Sequence, residues 1–270
     1  MKHSSNVVKD LKSILGYISH SVGIDAINFD IASPFLRDQI SKDIVQLKKY
    51  VPNNSTPRAM DLSCGKGLLS AALVRSGWDV IGCDVMRPAS DQLEINEVGW
   101  QVRFWNSLTA ADIKQRNRFF FYQTKSVAAL SGTFDGIIGY AVYEHIPPED
   151  RTEWLLEAHR LLRPGGAFLV AHCPRPESPT EHLARRLGVP AHEFLIATDD
   201  LVSHVTSVGF VVESVWLNDH IPSFLPWGPN WMKRAYLRAQ DGPLKFLEQF
   251  VGWATSSRWA HHTNLIAVKL

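Results

Sequence analysis

The stretch that decides the fold is Asp61-Leu62-Ser63-Cys64-Gly65-Lys66-Gly67, an acid followed by a short turn with two glycines. Residues 58–62 before it predict a strand, and residues 68–76 after it predict a helix that stops at Gly77. A glycine turn between a strand and a helix lets the backbone approach a ligand closely. The start of the helix also offers N–H groups without a partner inside the helix. The pattern therefore predicts a ligand-binding loop.

The chemistry of that ligand is narrowed by the acids around the loop. Residues 78–83 predict a second strand, and Asp84 at its end is placed to accept both hydroxyls of a ribose. The dinucleotide pattern G-x-G-x-x-G fails, because Ser63 and Leu68 stand at two of its three glycine positions. Asp61 would repel a pyrophosphate but suits an ammonium group. A ligand with a ribose, an ammonium group and no phosphate is indicated, as in S-adenosylmethionine.

Strand and helix signals alternate through the rest of the chain. Strands are predicted at residues 134–139, 167–171, 210–217 and 265–270, with helices at 154–162 and 199–208 between them. The third strand is predicted either at 102–105 or at 119–122. Such alternation is typical of an α/β fold with a mostly parallel sheet covered by helices on both faces.

The chain resembles the class I S-adenosylmethionine-dependent methyltransferases. Residues 61–67 are similar to the family's first motif, D-L-G-C-G-x-G, with Ser63 in place of its first glycine. Asp84 matches the acid after the second strand, residues 134–146 match the fourth-strand motif, and residues 162–166 match the L-[KR]-P-G-G turn. Residues 192–210 resemble the H-x-F…L…G-F stretch of the small-molecule branch, which includes ubiquinone-pathway O-methyltransferases.

The resemblance implies a Rossmann-like, doubly wound sheet of seven mostly parallel strands. Helical periodicity at 7–18 and 34–50, ended by the breaker cluster 52–57, predicts an N-terminal helical cap at residues 1–56. The methyltransferase core is expected at 57–270. Within it, residues 218–262 are predicted to be an aromatic insertion that acts as a lid or binds the acceptor.

Eight residues are expected to bind S-adenosylmethionine, whose product is S-adenosylhomocysteine. Tyr140 is expected to line the methionine moiety, with plain packing at the sheet edge as the alternative. The acid that holds the adenine amine in the family has no clear counterpart, since its place falls near Asn106 or near Lys125. The eight positions are Asp61, Ser63, Gly65, Gly67, Asp84, Val85, Met86 and Tyr140.

His145 and Glu144 are the candidate catalytic residues, because they follow the fourth strand where donor and acceptor should meet. An imidazole has a pKa suited to a general base, and the neighbouring carboxylate would orient it or hold the acceptor. The alternative is a structural pair that caps a helix; His172 and His192 are further candidates for the base. No metal is expected, since the pair His261-His262 has no carboxylate at ligand spacing.

Tryptophan is concentrated near the C-terminal end, where five of the nine stand at positions 216, 227, 231, 253 and 259. One interpretation is an aromatic acceptor pocket, with Tyr143, Trp227 and Trp231 as the expected contacts. The alternatives are packing of the insertion onto the sheet, or peripheral contact of residues 224–227 with a membrane surface.

The composition is that of a globular enzyme, with 45% apolar and 20% charged residues over 270 positions. A formal net charge of +1 argues against a nucleic-acid partner, although residues 103–125 carry a local basic run. Three cysteines without C-x-x-C spacing, no secretory pattern and no long apolar run predict a cytoplasmic protein. The sequence leaves the oligomeric state open.

The expected reaction is methyl transfer from S-adenosylmethionine to a small organic acceptor, at oxygen in preference to nitrogen or carbon. Two other classes stay open. One is a protein of the same fold that binds the cofactor without catalysis, which Ser63 and the missing adenine acid would allow. The other is an RNA methyltransferase that uses the basic run. A nicotinamide-dependent oxidoreductase is the least favoured class, given the failed dinucleotide pattern.

Overall fold

A computed structural model describes residues 12–13, 16, 32–51, 56–65, 67–84, 119–123, 131–188, 192, 194–223, 225, 228–255 and 258–270, with the backbone alone at 119–123. All but three positions of the predicted helix 7–18 lie outside these residues, as do the predicted strand 102–105, Val85, Met86 and Trp227.

Within the described residues, seven strands form one sheet in the order β3-β2-β1-β4-β5-β7-β6. Strands β1 to β5 pair in parallel, whereas β7 runs antiparallel to both of its neighbours, β5 and β6. The predicted α/β fold of Rossmann-like type is confirmed. The strands are β1 (Arg58–Leu62), β2 (Asp79–Asp84), β3 (Phe119–Gln123), β4 (Phe134–Tyr140), β5 (Leu162–Pro174), β6 (Phe210–Asn218) and β7 (His262–Lys269).

Helices connect the strands, and two of them begin at a serine whose side chain caps the helix. The hydroxyl of Ser33 accepts a hydrogen bond from the Leu36 N–H at 3.3 Å, and that of Ser178 accepts one from the Glu181 N–H at 3.2 Å. The helices are α1 (Pro34–Leu47), α2 (Leu68–Arg75), α3 (Arg151–Leu161), α4 (Pro179–Arg186), α5 (Thr198–Ser207), α6 (Asn230–Gln240) and α7 (Pro243–Ala254), with 3-10 turns at Lys48–Tyr50 and Tyr143–His145. In the part of the chain that the structure describes, no helix is both long and apolar enough to span a bilayer.

The core lies on both faces of the sheet. On one face Ile44 and Leu47 of α1 pack with Leu69 of α2 and with the fully buried Trp78. On the other face Leu155 of α3 and Leu201 of α5 cover the strands. Helix α1, predicted from the sequence at 34–50, therefore covers the sheet directly.

Strand β5 is longer than predicted. The sequence indicates a turn at residues 163–166 before a strand at 167–171, but Leu162 already pairs with Phe134 of β4. The next paired positions are Gly136 and Ala167, so the intervening residues form a bulge. Gly165 has a φ of 71°, a left-handed conformation that favours glycine and lets the bulge turn back into the ladder.

The carboxyl ends of the parallel strands meet at one edge of the sheet. Strand β6 is parallel to β5, because both are antiparallel to β7, so β7 begins at the edge where the others end. In α/β sheets this edge is where ligands bind. Six polar side chains stand along it: Asp84, Asp61, Tyr140, His172, His262 and Asp219.

Candidate functional site

The loop between β1 and α2 is a compact turn with three left-handed positions. Ser63, Gly65 and Gly67 have φ values of 61°, 50° and 75°. The Cys64 N–H donates to the Cys83 carbonyl at 2.9 Å, which fixes the loop against the end of β2. A Cβ added at Gly65 would meet none of the described residues within 4 Å, so these residues leave its backbone uncovered. The loop presents bare backbone at the sheet edge, as the sequence predicts for a ligand-binding turn.

Asp84 lies against this loop. Its Oδ2 accepts a hydrogen bond from the Gly65 N–H at 2.6 Å, and the carboxylate is partly exposed. The acid expected to bind ribose hydroxyls and the glycine loop expected to approach the ligand therefore form a single surface. One nucleoside can contact both, which is the arrangement that the motif spacing predicts.

Asp61 is buried beneath the loop. Its side chain is 1% exposed, and its Oδ2 accepts a hydrogen bond from the Ser70 hydroxyl at 2.5 Å. Burial raises the pKa of Asp61 to about 7, and the negative charge of Asp84 acts in the same direction. A cationic ligand group nearby would favour the carboxylate form. Asp61 thus fits the ammonium group of S-adenosylmethionine, and Ser70 is a supporting residue that the motif did not single out.

Tyr140 ends β4, which pairs with β1 next to the glycine loop at residues 61–67, named the donor loop below. Its ring is partly buried against the core, and it stacks on the ring of His172 with 5.2 Å between centroids and 11° between planes. Ala141, the next residue, has a φ of 51°, so the chain turns sharply here. The structure places Tyr140 at the ligand edge and in contact with a histidine.

Glu144 and His145 follow in the 3-10 turn after β4, but their environments differ. The Glu144 side chain is 2% exposed, whereas that of His145 is 57% exposed, and 4.0 Å separates Glu144 Oε1 from His145 Nε2. The other carboxylate oxygen, Oε2, is buried and has no hydrogen-bond partner among the described residues. Burial raises the pKa of Glu144 to about 7. The 3-10 turn therefore places a buried carboxyl group with a raised pKa beside an exposed imidazole.

Of the three expected acceptor contacts, the structure describes Tyr143 and Trp231 and places them in different environments. Tyr143 is 1% exposed; its ring packs edge-on against Trp154, and its hydroxyl lies 3.1 Å from His204 Nδ1. Trp231 on α6 is 72% exposed, and Trp227 lies outside the described residues. Tyr143 therefore supports the β4 turn from inside the core, while Trp231 faces solvent.

The position of β3 distinguishes the two places that the sequence allows for an acid at the adenine amine, near Asn106 or near Lys125. Strand β3 spans Phe119–Gln123 and pairs along β2 as far as Asp84, so the residue after the third strand falls near Lys125, outside the described residues. Residues 124–130 contain no acid. The acid that the family uses for the adenine amine therefore has no counterpart directly after β3.

The insertion between β6 and β7 consists mainly of α6 and α7. Helix α7 has no buried residue, and three of its large apolar side chains are 60–80% exposed, namely Phe246, Phe250 and Trp253. The insertion contacts the segment at the start of α1 through polar groups, such as the Ser33 hydroxyl, which donates to Gln240 Oε1 at 2.7 Å. The large aromatic side chains of α7 therefore face solvent.

Comparison with known proteins places the chain in a family. The model of a methyltransferase domain matches residues 35–215, well over half of the chain. The ubiquinone biosynthesis O-methyltransferases of Cereibacter sphaeroides and Roseobacter denitrificans are each 28% identical to it over 198 and 187 residues. The first alignment covers 69% of each chain and the second covers 66% of each.

Solved structures are similar in fold at low identity. The magnesium protoporphyrin IX methyltransferase from Synechocystis PCC 6803, solved with bound S-adenosylhomocysteine, has a TM-score of 0.52 and 17% identity, covering 96% of this chain and 100% of that one. A Burkholderia thailandensis 1,6-didemethyltoxoflavin-N1-methyltransferase has a TM-score of 0.53 and 15% identity, covering 99% and 89%.

At these identities the solved structures show the fold alone, whereas the family model matches the sequence itself across α1, the donor loop and the strands up to β6. The matched range contains Asp61, Gly65 and Asp84 in the geometry described above. The chain belongs to the methyltransferase domain family and is an S-adenosylmethionine-dependent methyltransferase.

Proposed function

We propose that this methyltransferase acts on an oxygen atom of a small organic acceptor and holds its donor at the edge of the sheet near β1 and β2. The observation that carries the donor site is the contact between Asp84 and the Gly65 N–H, which joins the ribose acid to the glycine loop. Asp61 beneath it supplies a carboxylate for the ammonium group. S-adenosylmethionine provides an electrophilic methyl group on a sulfonium sulfur.

The eight positions named from the sequence form the proposed donor site. Gly65 and Gly67 contribute backbone, and Tyr140 covers the methionine part from the end of β4. Val85 and Met86, which follow Asp84 in the chain, are proposed as the apolar wall for adenine. Ser63 adds a hydroxyl where the family favours bare backbone, and its left-handed φ of 61° is consistent with a position that usually holds glycine.

Oxygen is the proposed acceptor atom for two reasons. The stretch 192–210 resembles the small-molecule branch of the family, and both relatives named above are O-methyltransferases. Direct displacement at a methyl group requires alignment and a dry site, with a base where the nucleophile carries a proton. A phenol or a similar hydroxyl group is the acceptor class that needs such a base.

His145 is proposed as the base that takes the proton, and Glu144 as the residue that positions its ring. The 4.0 Å gap between them is longer than a hydrogen bond and would need to close when the acceptor binds. Burial of Glu144 keeps part of its population protonated near pH 7. A protonated Glu144 can instead donate to the acceptor, which is the second role proposed for it.

The acceptor is proposed to enter beside the insertion at 218–262, with Trp227 and Trp231 as its aromatic contacts. Tyr143 contributes from behind the pocket, since its ring is buried against Trp154. In this arrangement residues 1–56 are the cap and residues 57–270 the catalytic core. All three cysteines are free thiols, which supports the proposed cytoplasmic location.

Calorimetric titration with S-adenosylhomocysteine tests the donor site, and a panel of hydroxylated aromatic acceptors tests the reaction. Transfer of a labelled methyl group to an acceptor oxygen, identified by mass spectrometry, is the expected result. Binding without turnover on any acceptor would favour the alternative of a cofactor-binding protein that has lost catalysis. If no binding occurs at millimolar ligand, the donor site itself is misassigned.

A further inference from the structure

Three side chains from the ends of adjacent strands converge on the half of the sheet edge away from the donor loop. His172 lies near the end of β5, His262 begins β7, and Asp219 follows β6. One ligand atom of each residue lies within 4.8 Å of those of the other two. The sequence predicts no metal here, because the carboxylate comes from a segment distant from the pair His261-His262. The order of the strands brings Asp219 next to His172 and His262.

Asp219 is held so that one of its oxygens faces the histidines. The side chain is 2% exposed. Its Oδ1 accepts hydrogen bonds from Gln39 Nε2 at 2.6 Å and from the Ser223 hydroxyl at 2.7 Å. Its Oδ2 lies 3.0 Å from His262 Nδ1. Two donors therefore orient the carboxylate and satisfy one oxygen, as supporting groups do around metal-binding carboxylates.

The Nδ1 atoms of the two imidazoles are buried and make no hydrogen bond to the described residues. Neither His172 Nδ1 nor His262 Nδ1 has a hydrogen-bond partner among the described residues; for His262 the 3.0 Å approach to Asp219 lacks hydrogen-bond geometry. Their rings stack with 3.6 Å between centroids. A buried polar atom without a partner costs about 1–3 kcal/mol, so two of them beside one carboxylate require an explanation.

The backbone is strained at two of the three positions. His172 and Asp219 have φ values of 62° and 61°, a left-handed conformation that is uncommon outside glycine. The His172 N–H donates to Asn264 Oδ1 at 2.8 Å, which holds the strained residue in place. Strain of this kind persists where the surroundings impose it, and it clusters at ligand sites.

We propose that His172, Asp219 and His262 bind a divalent transition-metal ion. Two imidazole nitrogens and one carboxylate oxygen form a donor set that suits zinc, iron, cobalt or nickel better than magnesium or calcium, which prefer oxygen ligands. Bound metal would give the two ring nitrogens and Asp219 Oδ2 a common partner. Because the His172 ring stacks on Tyr140, the ion would lie beside the proposed donor site.

A neighbouring cluster provides a contrast. Glu181 Oε1 lies 2.8 Å from both His192 Nδ1 and His261 Nε2, and both contacts have hydrogen-bond geometry. Both histidines are therefore already paired with Glu181 Oε1, while Glu181 Oε2 is buried and has no hydrogen-bond partner among the described residues. This cluster meets the distance requirement for a metal but lacks the unsatisfied nitrogens, so it serves as the internal control.

The test uses untagged chain stripped with a chelator and titrated with Co²⁺, followed by visible absorption and by calorimetry. One equivalent should bind, with the ligand-field absorption of a site containing nitrogen donors, and Zn²⁺ should displace it. Asp219→Asn should weaken binding at least tenfold, as should His262→Gln. The control His192→Gln should bind Co²⁺ like the unaltered chain.

A variant of a residue that contacts Asp219 but is not itself a ligand distinguishes loss of metal binding from loss of folding. Gln39→Ala leaves all three ligands in place and removes one donor to Asp219, so Co²⁺ affinity should fall about tenfold or more while the circular dichroism spectrum is unchanged. The proposal is overturned if the folded chain binds no Co²⁺. It is equally overturned if Asp219→Asn binds Co²⁺ as well as the unaltered chain, or if His192→Gln is the variant that abolishes binding.

Discussion

The carboxyl edge of the sheet holds two proposed sites, which are built in different ways. The donor half lies at β1 and β2, and the histidine half lies at β5, β6 and β7. The donor half is drawn from one short segment, the loop 61–67, together with Asp84 at the end of the next strand. The histidine half draws single residues from β5, from the start of β7 and from beyond β6. Local loop conformation determines the first, whereas strand order determines the second. Substitutions should accordingly have separable effects on the two halves.

The largest expected effect is on the donor half, from Asp84→Ala. The variant loses a charged acceptor for the ribose hydroxyls and the contact that holds Gly65, so affinity for S-adenosylhomocysteine should fall about 100-fold, or about 3 kcal/mol. Calorimetry measures the change. Asp79→Ala at the opposite end of the same strand is the matched control; equal losses in both variants would contradict the assignment.

The next effect concerns Glu144, beyond the end of β4. Burial raises its folded-state pKa to about 7 from the ordinary value of 4.5, so between these pH values the folded chain binds a proton that the unfolded chain has lost. The stabilisation of the folded state by this proton is complete below pH 4.5 and is lost as the pH rises through 7. The free energy of unfolding should therefore decrease by about 2 kcal/mol between pH 5 and pH 7.

Denaturant unfolding at a series of pH values tests this expectation in the unliganded chain. Glu144→Gln should flatten the curve by that amount, while a remaining decline is expected from Asp61 and from Asp43, whose pKa burial raises to about 8. A Glu144→Gln curve that runs parallel to that of the unaltered chain would show that Glu144 is ionised throughout.

A pKa of about 7 at Asp61 should appear in ligand binding rather than only in stability. If the ammonium group of S-adenosylhomocysteine requires the carboxylate, affinity should rise about tenfold from pH 6 to pH 8, because the ionised fraction rises by that factor. Asp61→Asn should bind weakly with little pH dependence. The same pH slope in this variant would assign the titration to another group.

The smallest effect is expected at Ser63. Replacement by glycine relieves a left-handed conformation that costs about 1 kcal/mol in other residues, so Ser63→Gly should raise the free energy of unfolding by that amount. Donor affinity should stay the same or increase. Thermal and denaturant unfolding provide the measurement, and a loss of both stability and affinity would mean that the Ser63 hydroxyl has a specific role.

The same contrast between local and long-range structure explains which parts of the fold and of the proposed sites could be predicted from the sequence. The donor loop, Asp84 and helix α1 follow from local patterns, since glycine turns, strand ends and apolar periodicity are properties of adjacent residues. The long strand β5 could not be predicted, because pairing of Leu162 with Phe134 overrides the turn signal of Pro164 and the glycines after it. Tertiary pairing decided that boundary.

The histidine cluster shows the same limit more clearly. Asp219 and His262 have no motif spacing, and they meet because β7 is inserted between β5 and β6 in the reverse direction. Similarly, Tyr143 and His145 are two residues apart, yet one is buried and the other exposed because they stand in a 3-10 turn. Their roles depend on contacts that sequence periodicity does not encode.

The polar contacts of α1 have a consequence for how the molecule can vary. Besides the bond from Gln39 to Asp219, the Ser33 hydroxyl donates to Gln240 Oε1 of α6 at 2.7 Å, and Lys245 of α7 lies 3.1 Å from an oxygen of Asp38. Helix α1 with its capping serine and the β6–β7 insertion are thus joined directly by these three polar contacts. A substitution that removes one partner leaves the other without its contact, so residues of the two segments should vary together.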